Sequence, residues 1–180
     1  QEEACPLNLA PTASTTAALA LGDALAVAVL EVRGFGPDDF ARSHPGGSLG
    51  RRLLVRVADV MRTGDRLPVV RNSASLHEAL AEMSAKRMGM TCVVDADNVL
   101  EGLFTDGDLR RLLGRESLRP DCAISELMTT GARTISPDAL AAQAAHLMDE
   151  RRINHLLVVD SQGCLLGAVG LHDLLEAKIL

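Results

Sequence analysis

Thr105 and Asp108 are the two side chains whose types and spacing most directly suggest ligand chemistry. They stand three positions apart in a turn between an apolar run, residues 99–104, and an apolar-periodic tail, residues 109–113. A strand that leads straight into a helix presents free backbone N–H groups and the positive end of the helix dipole, which favour an anion. The hydroxyl could then hold a phosphate, and the carboxylate could hold sugar hydroxyls. The alternative is that Thr105, Asp106 and Asp108 only cap the helix.

The elements that position these residues occur twice in the chain from residue 57 onward. Gly102 is matched by Gly167, and Asp108 by Asp173, at the same displacement. Each copy reads strand–helix–strand–strand–helix. Two units of this size, each too small to close its own core, are expected to share a buried sheet face. We therefore predict an α/β (α+β) fold in which two βαββα repeats are related by a pseudo-twofold axis.

The first helix of each copy has its own start signal. In the first copy, Ser75 and Glu78 form a capping box ahead of an apolar stripe. In the second copy, Pro137 and Asp138 are expected to open the helix. The residues at helical spacing are Leu76, Ala79, Leu80 and Met83 in the first helix and Leu140, Ala144, Leu147 and Met148 in the second.

The N-terminal part contains one long apolar segment, residues 17–32, which follows a cluster of hydroxyl residues and ends before Gly34. Hydroxyls before an apolar run predict a helix start, and the glycine predicts its end. The spacing of Leu21, Leu25, Ala28 and Val29 predicts a core-facing stripe. The segment has no partner sheet before it, and the chain begins with Gln1 rather than Met, so we expect a domain that is cut open and a longer parent protein.

Composition narrows the classes of function. The chain has 180 residues, 47% of them hydrophobic, with three Phe and neither Trp nor Tyr. Because the chain lacks aromatic residues for base stacking and carries a net charge of −6, nucleic-acid binding is not expected.

The four cysteines show neither zinc-site spacing nor a disulfide framework, which fits a reducing cytoplasm and no metal. Cys92 and Cys164 are expected to be small core residues. Residues 17–32 are interrupted by Asp23 and are expected to be too short for a bilayer, so we predict no membrane partner.

Residues 57–180 resemble a tandem pair of CBS domains, because they contain the repeated unit and the spacing of Thr105 and Asp108. The resemblance implies one domain at residues 57–115 and another at residues 121–180. Such pairs commonly bind adenosine-type nucleotides in the cleft between the repeats, so it also implies a nucleotide or nucleotide-sugar effector. In the second copy, Gly170 stands where the signature has a hydroxyl, while the acid is kept. The effector-binding residues that the resemblance implies are Ser73, Thr105, Asp108, His172 and Asp173.

Residues 1–56 resemble the C-terminal helix and loop of a truncated, Rossmann-like sugar-isomerase (SIS) domain. The segments that carry this resemblance are EACPL at residues 3–7, APTASTT at 10–16, GDALA at 22–26 and SHPGGSLGR at 43–51. With the CBS-like pair behind them, they are similar to the arabinose-5-phosphate isomerase family. That family interconverts D-ribulose 5-phosphate and D-arabinose 5-phosphate in the first step of Kdo synthesis for lipopolysaccharide. The resemblance implies that most of the catalytic domain lies before Gln1 and that this chain is inactive alone.

The same resemblance implies catalytic roles for Glu3 and His44 on a sugar-phosphate substrate. Aldose–ketose isomerisation moves a proton between adjacent carbons through an enediol, which needs a base that titrates near neutrality and an acid that shuttles hydroxyl protons. Histidine suits the first role and a carboxylate the second, and the individual assignment stays open. Thr12, Ser14 and Thr15 either bind substrate near its phosphate or only cap the helix. The family implies no cofactor and a homotetramer.

A second class of function is a stand-alone CBS-pair module that senses a nucleotide and reports its level to a partner. What precedes Gln1 discriminates the two hypotheses. A reading frame that starts there favours the sensor, whereas an upstream Rossmann-like βα region favours the enzyme.

Overall fold

The computed structural model describes residues 2–43, 48–114 and 121–180. The chain divides into two compact units, Gln1–Pro45 and Gly46–Leu180. The first unit contains the long apolar segment, and the second contains both repeats.

The first unit is built around one long helix, α1 (Ala13–Val32), which is followed by the short helix α2 (Pro37–Ser43). α1 carries alanine, leucine and valine on all sides, and none of its residues is buried in the described part of the chain. The predicted stripe is therefore exposed: Leu21 and Leu25 keep 62% and 59% of their surface accessible. A helix that is apolar all round is typical of one covered by further protein or by lipid.

The length of α1 corrects one prediction. The helix begins at Ala13, inside the hydroxyl cluster, and has 20 residues. With a mean hydropathy of 1.7, it is long and apolar enough to cross a membrane by length and composition alone, so the expectation that it is too short is wrong. The core helix of a larger domain passes the same test, and a single such helix near the N-terminus is weak evidence for a membrane span.

The second unit contains the two repeats, preceded by α3 (Ser48–Leu54). The first repeat consists of α4 (Val57–Val60), β1 (Val69–Arg71), α5 (Leu76–Lys86), β2 (Met90–Val94), β3 (Leu100–Thr105) and α6 (Asp106–Leu113). The second consists of a 3-10 turn (Ile124–Glu126), β4 (Thr129–Thr130), β5 (Thr134–Ile135), α7 (Ala141–Arg151), β6 (His155–Val159), β7 (Leu165–Gly170) and α8 (Leu171–Glu176). From β1 and from β5 onward each repeat reads strand–helix–strand–strand–helix, so the predicted order is confirmed.

Each repeat forms its own sheet with the same pairing pattern. β1 runs parallel to β2 and β2 antiparallel to β3, while β5, β6 and β7 repeat this arrangement. Gly102 pairs with Val93 and Gly167 with Val158, and the register shifts immediately afterwards in both sheets. Gly102 and Gly167 therefore occupy equivalent places, as a pseudo-twofold arrangement requires.

The repeats exchange their N-terminal segments. α4 lies against the second repeat, where the backbone N–H of Val57 donates to the carbonyl oxygen of Ala139 at 2.8 Å. Conversely, the backbone N–H of Ile124 donates to the carbonyl oxygen of Ala74 at 2.7 Å, and β4 adds an edge strand to β3 of the first sheet. Each repeat is therefore completed by a segment that precedes the other repeat in the chain.

Two glycines permit this exchange. A Cβ atom on Gly102 would lie 2.7 Å from the carbonyl oxygen of Thr129 and 2.9 Å from Sδ of Met128. A Cβ atom on Gly167 would lie 2.7 Å from the carbonyl oxygen of Arg62. A side chain at either position would push the exchanged segment away from the sheet.

The first long helices of the two repeats, α5 and α7, begin in different ways. In α5 the predicted capping box is confirmed: Ser75 Oγ accepts from the Glu78 N–H at 3.2 Å, and Glu78 Oε2 accepts from the Ser75 N–H at 2.7 Å. α7 begins at Ala141 and not at Pro137, so that prediction is wrong. The stretch before Ala141 forms a turn instead, because its carbonyl groups accept hydrogen bonds from the exchanged α4 segment.

An aliphatic core lies between the two sheets and draws on both repeats, so the predicted shared sheet face is confirmed. Its buried members are Leu67, Met88, Met90, Cys92, Val94, Leu157, Leu165 and Ala168. Burial raises the pKa of the Cys92 thiol to about 12. Cys164 is only half-buried, so the prediction of a core position holds for Cys92 alone.

Candidate functional site

A cleft of about 550 Å³ opens between the two repeats beside the N-terminus of α6. Both repeats contribute to its walls. The charged and polar lining residues are Thr105, Asp106, Arg110, Thr129, Arg133, Asn154 and His155.

This lining combines two guanidinium groups and the carboxylate of Asp106 with hydroxyl, amide and imidazole groups. Arg110 and Arg133 provide two permanent guanidinium charges suited to a phosphate, and α6 adds the backbone N–H groups of its first turn. Leu103 and Ile153 provide apolar surface in the same cleft. A cleft of this kind is suited to a phosphorylated ligand that also presents an apolar face.

Asp108 is only 8% exposed and is not among the residues that line the cleft. Its Oδ2 accepts from the backbone N–H of Thr105 at 2.9 Å and from Thr105 Oγ1 at 2.6 Å. Its Oδ1 accepts from Arg111 Nη2 at 2.5 Å and from Thr129 Oγ1 at 3.1 Å. Burial alone would raise the pKa of this carboxyl, but the hydrogen bonds from Thr105, Arg111 and Thr129 outweigh it, and the pKa lies below its ordinary value. The capping interpretation therefore accounts for the contacts of Asp108.

Asp173 holds the equivalent place in the second repeat. Its Oδ2 accepts from the backbone N–H of Gly170 at 2.8 Å. Its Oδ1 accepts from Arg62 Nε at 2.8 Å, and the two side chains of this ion pair are 9% and 19% exposed. The carboxylate that was predicted to bind an effector is thus already paired within the chain.

The other predicted effector residues are dispersed. His172 is exposed on α8, where its Nε2 lies 3.1 Å from Glu176 Oε1. Ser73 is exposed in a separate pocket of about 390 Å³, together with Arg71 and Glu78. Of the five predicted effector residues, Thr105 is the one that lines the cleft between the repeats.

His155 lines the cleft and lies within electrostatic range of the carboxylates of Asp173 and Asp106. Burial, the largest influence, lowers the pKa of His155 below its ordinary value, and Arg62 acts in the same direction. A hydrogen bond to the Met88 backbone and the charges of Asp173 and Asp106 oppose this lowering without reversing it. The imidazole is therefore predominantly neutral near pH 7, and one face of the cleft offers a neutral hydrogen-bonding group.

Sequence reasoning missed Asn154 and His155 as cleft residues. Gly89, the repeat equivalent of Asn154, lines the same cleft, so a search for residues that face each other across the pseudo-twofold axis could have found them. Arg110 and Arg133 gave no such signal, because arginines at exposed positions are common on any surface.

No metal-binding cluster is present among residues 2–43, 48–114 and 121–180, since no three His, Cys, Asp or Glu side chains come together there. The histidines of these ranges lie on separate elements, namely His77 on α5, His146 on α7, His155 on β6 and His172 on α8.

In the first unit, Glu3 binds the N-terminus of α1. Its Oε2 accepts from the backbone N–H groups of Thr12 at 2.7 Å and Ser14 at 3.2 Å. Hydrogen bonds from the Ser14 side chain and from the backbone of Thr12 and Ser14 lower the pKa of Glu3 to about 2. Thr15 Oγ1 donates to the carbonyl oxygen of Thr12 at 3.0 Å. The structure thus brings Glu3, Thr12 and Ser14 together, whereas His44 lies outside the described residues.

A family model for the CBS domain matches residues 57–115 and 124–179, which is more than half of the chain. The chain belongs to the CBS domain family. The matched ranges contain the two repeats, and the cleft described above lies between the two members of this CBS pair.

Curated relatives extend the similarity over the whole chain. The chain is 52% identical to the arabinose 5-phosphate isomerase KdsD of Pseudomonas aeruginosa and 50% identical to that of Escherichia coli, over 179 residues in both cases. The alignments cover 99% of this chain but 55% and 54% of the two relatives. The chain therefore spans about half the length of the curated relatives it matches.

Solved structures support the CBS-pair fold. CBSX2 in complex with AMP is similar with a TM-score of 0.62 and 26% identity, over 69% of this chain and 96% of that one. A putative acetoin utilization protein (AcuB) from Vibrio cholerae is similar with a TM-score of 0.63 and 25% identity, over 69% of this chain and 90% of that one. The predicted α/β fold with a tandem CBS pair is confirmed.

Proposed function

We propose that this chain is the C-terminal part of an arabinose-5-phosphate isomerase, in which a CBS pair regulates a sugar-isomerase domain. The observation that carries the proposal is the 52% identity to the Pseudomonas aeruginosa KdsD over 99% of this chain, the first unit included. The complete enzyme interconverts D-ribulose 5-phosphate and D-arabinose 5-phosphate through an enediol. The isomerase-like remnant is residues 1–56, followed by CBS domains at residues 57–115 and 121–180.

The exposed surface of helix α1 supports the proposal that the first unit belongs to a larger domain. All of its large apolar side chains are accessible, including Val32 at 89% and Leu19 at 68%. Such surface is stable in water only when other protein or lipid covers it. The larger part of a sugar-isomerase domain would cover it, and this chain alone would then be inactive.

In this proposal, His44 is the base that moves the carbon-bound proton, and Glu3 assists at the hydroxyl groups. With a pKa of about 2, Glu3 is ionised at neutral pH, so it accepts a proton before it can donate one. Glu3 also occupies the backbone N–H groups of Thr12 and Ser14. A substrate phosphate can use those donors, and the hydroxyls of Thr12 and Ser14, only after Glu3 has moved aside, whereas the Thr15 hydroxyl is held by the carbonyl oxygen of Thr12.

The test is an assay of the complete gene product with D-ribulose 5-phosphate. We expect formation of D-arabinose 5-phosphate without added cofactor, a loss of kcat of at least about 100-fold in His44→Ala, and a smaller loss in Glu3→Gln. His77→Ala is the matched control, since His77 is an exposed histidine on α5, and it should leave kcat unchanged. Absence of isomerisation, or full activity in His44→Ala, would contradict the proposal.

The location and the assembly of the complete enzyme are also part of the proposal. We propose that it acts in the cytoplasm, a reducing compartment in which free thiols such as these four cysteines are expected. We propose a homotetramer with no nucleic-acid or membrane partner. Sedimentation equilibrium of the complete protein measures the assembly, and a monomer would contradict it.

We further propose that the cleft of the CBS pair binds a nucleotide or nucleotide-sugar effector, such as a CMP-linked product of the pathway. Arg110 and Arg133 would hold the phosphate, and the polar groups of Thr105 and Asn154 would hold the sugar. The similar CBSX2 structure carries AMP, which supports a nucleotide as the class of ligand. Binding there can change catalysis only by favouring one arrangement of the CBS pair against the isomerase domain.

Calorimetry with AMP, ATP, CMP and CMP-Kdo tests this binding. At least one ligand should bind to the wild type and bind at least 10-fold more weakly to Arg110→Gln, because one phosphate contact is lost. Arg71→Gln is the control, since Arg71 is an exposed arginine away from the cleft lining. Equal heats for wild type and Arg110→Gln would contradict the assignment of the phosphate to Arg110.

The alternative is a stand-alone CBS pair that senses a nucleotide for a separate partner. The second unit, Gly46–Leu180, has its own buried core, which favours a module that folds by itself. The genomic DNA upstream of the codon for Gln1 discriminates the two. A continuous frame that encodes a Rossmann-like βα region supports the enzyme, and a start codon at this point supports the sensor.

A further inference from the structure

The carboxylates Asp108 and Asp173 stand in equivalent places but have different partners. In each, Oδ2 accepts from the backbone N–H three positions earlier, at 2.9 and 2.8 Å. In each, Oδ1 faces the exchanged segment of the other repeat. From that segment Asp108 accepts the hydroxyl of Thr129 at 3.1 Å, in addition to Arg111 of its own helix, whereas Asp173 accepts the guanidinium of Arg62 at 2.8 Å.

Thr129 and Arg62 are repeat equivalents by backbone position as well. Thr129 pairs with Leu103 of β3, and Arg62 pairs with Ala168, the matching residue of β7. Each of the two places its carbonyl oxygen over a β-strand glycine at the same distance. The pseudo-twofold axis therefore relates one short hydroxyl side chain to one long cationic side chain.

The different sizes of Thr129 and Arg62 determine whether a ligand has room beside each carboxylate. Thr129 is small and lines the open cleft of about 550 Å³. Arg62 extends across the equivalent space, with Nε on Asp173 and Nη1 on the carbonyl oxygen of Lys86 at 3.2 Å. Its side chain is 19% exposed, so most of the guanidinium and its stem is packed among protein atoms.

The second position has also lost the groups that make the first one polar. Gly170 stands where the first repeat has Thr105, so the hydroxyl is absent. Leu171 and Leu175 stand where the first repeat has Asp106 and Arg110, so a carboxylate and a guanidinium are absent as well. Arg62 itself is tied to Asp173 rather than free for a phosphate.

We propose that Arg62 is an internal occupant of the second cleft and that the CBS pair consequently binds one nucleotide and not two. This inference rests on the proposed nucleotide binding at the first cleft. A ligand that entered the second cleft would have to displace the guanidinium, which leaves two largely buried charges without their partners. Arg62 thereby decides both the stoichiometry and which face of the pair responds to the effector.

Calorimetric titration of the 180-residue chain with AMP tests the inference through the number of sites. Wild type should bind one AMP per chain. Arg62→Thr copies the Thr129 side of the pair, removes the occupant and should bind two. Arg71→Thr removes a charge from an exposed arginine outside the cleft and should still bind one. Circular dichroism and urea denaturation establish that each variant is folded.

Thr129→Arg is the reciprocal variant and does not depend on the folding of Arg62→Thr. It places an arginine beside Asp108 in the first cleft and should weaken AMP binding by at least 100-fold. If Thr129→Arg binds AMP as wild type does, a long cation at this position does not occupy the cleft, and the inference is overturned.

The outcomes separate this inference from the proposed function. If wild type and Arg62→Thr each bind one AMP, the inference is overturned and nucleotide binding at the first cleft is left intact. If wild type binds no AMP but Arg62→Thr binds one, Arg62 is supported as the occupant of the second cleft, whereas the proposed AMP site in the first cleft and the count of one site are contradicted. Two AMP on wild type overturns the inference, and no AMP on either protein overturns both.

Discussion

Asp108 connects the fold to the cleft although it does not line it. Its Oδ2 caps α6 through Thr105, and its Oδ1 accepts the hydroxyl of Thr129. Both threonines are cleft-lining residues that come from different repeats. Asp108 therefore connects two walls of the cleft through its hydrogen bonds.

Replacing Asp108 with Asn should lower the free energy of unfolding by about 1–2 kcal/mol at neutral pH, because charged hydrogen bonds to the cap and to Arg111 are lost. The native pKa of Asp108 lies below its ordinary value, so the carboxylate stabilises the fold fully above the unfolded pKa and loses this contribution as the pH falls through the native pKa. The difference between wild type and Asp108→Asn should be largest above about pH 5 and should shrink in acid. Urea denaturation at a series of pH values measures this difference.

Asp149→Asn is the matched control for this series. Asp149 is exposed on α7, and its replacement should change the free energy of unfolding by less than about 0.5 kcal/mol. If Asp108→Asn destabilises the protein equally at pH 7 and at pH 3, the lowered native pKa of Asp108 is contradicted.

For Asp108, the sequence was sufficient to predict the contact that is local. Thr105 and Asp108 are three positions apart, and that spacing is sufficient to predict both the cap and the ligand alternative. Arg62 and Asp173 are 111 positions apart and meet only after both repeats have folded. A local pattern carries no information on such a pair, which is why Asp173 was expected to be available to an effector.

At the scale of elements, the exchange of α4 and β4 between the repeats is the main feature that the sequence did not reveal. The repeat pattern predicts the order of strands and helices, because apolar spacing and turn residues are local. The partner of an edge strand is chosen through backbone hydrogen bonds, which every sequence can make. The same exchange explains why α7 starts late, since the stretch before it is held by α4.

Gly102→Ala tests the exchange in the first sheet. The new Cβ would lie 2.7 Å from the carbonyl oxygen of Thr129, so β4 must move away from β3. We expect a loss of about 1–3 kcal/mol in the free energy of unfolding, as for other overpacked sites. Urea denaturation measures this loss, and weaker AMP binding should accompany it because Thr129 lines the cleft.

Gly114→Ala is the matched control for the glycine substitution. A Cβ at Gly114 meets no atom nearer than 3.6 Å, and its φ of −80° is accessible to alanine. This variant should differ from wild type by less than about 0.5 kcal/mol. Equal stabilities of Gly102→Ala and Gly114→Ala would mean that β4 does not lie against Gly102.

The whole molecule consists of a first unit that leaves an apolar helix uncovered and a second unit that closes its own core. Both properties follow from the sequence, because one long apolar segment and one duplicated pattern account for them. The position of the cleft follows less directly. It depends on which side chains of two repeats face each other, and the sequence identified Thr105 but missed Asn154, His155 and Arg133.

The measurement that tests the cleft most directly is a titration of the isotope-labelled chain with AMP, followed by the amide resonances in two-dimensional NMR. A ligand between the repeats should shift Thr105 and Gly107 of the first repeat together with Asn154 and His155 of the second. The amides of Gly170 and His172 should stay in place. Shifts confined to one repeat, shifts centred on Gly170 and His172, or no shifts at saturating AMP would contradict a single nucleotide site between the repeats.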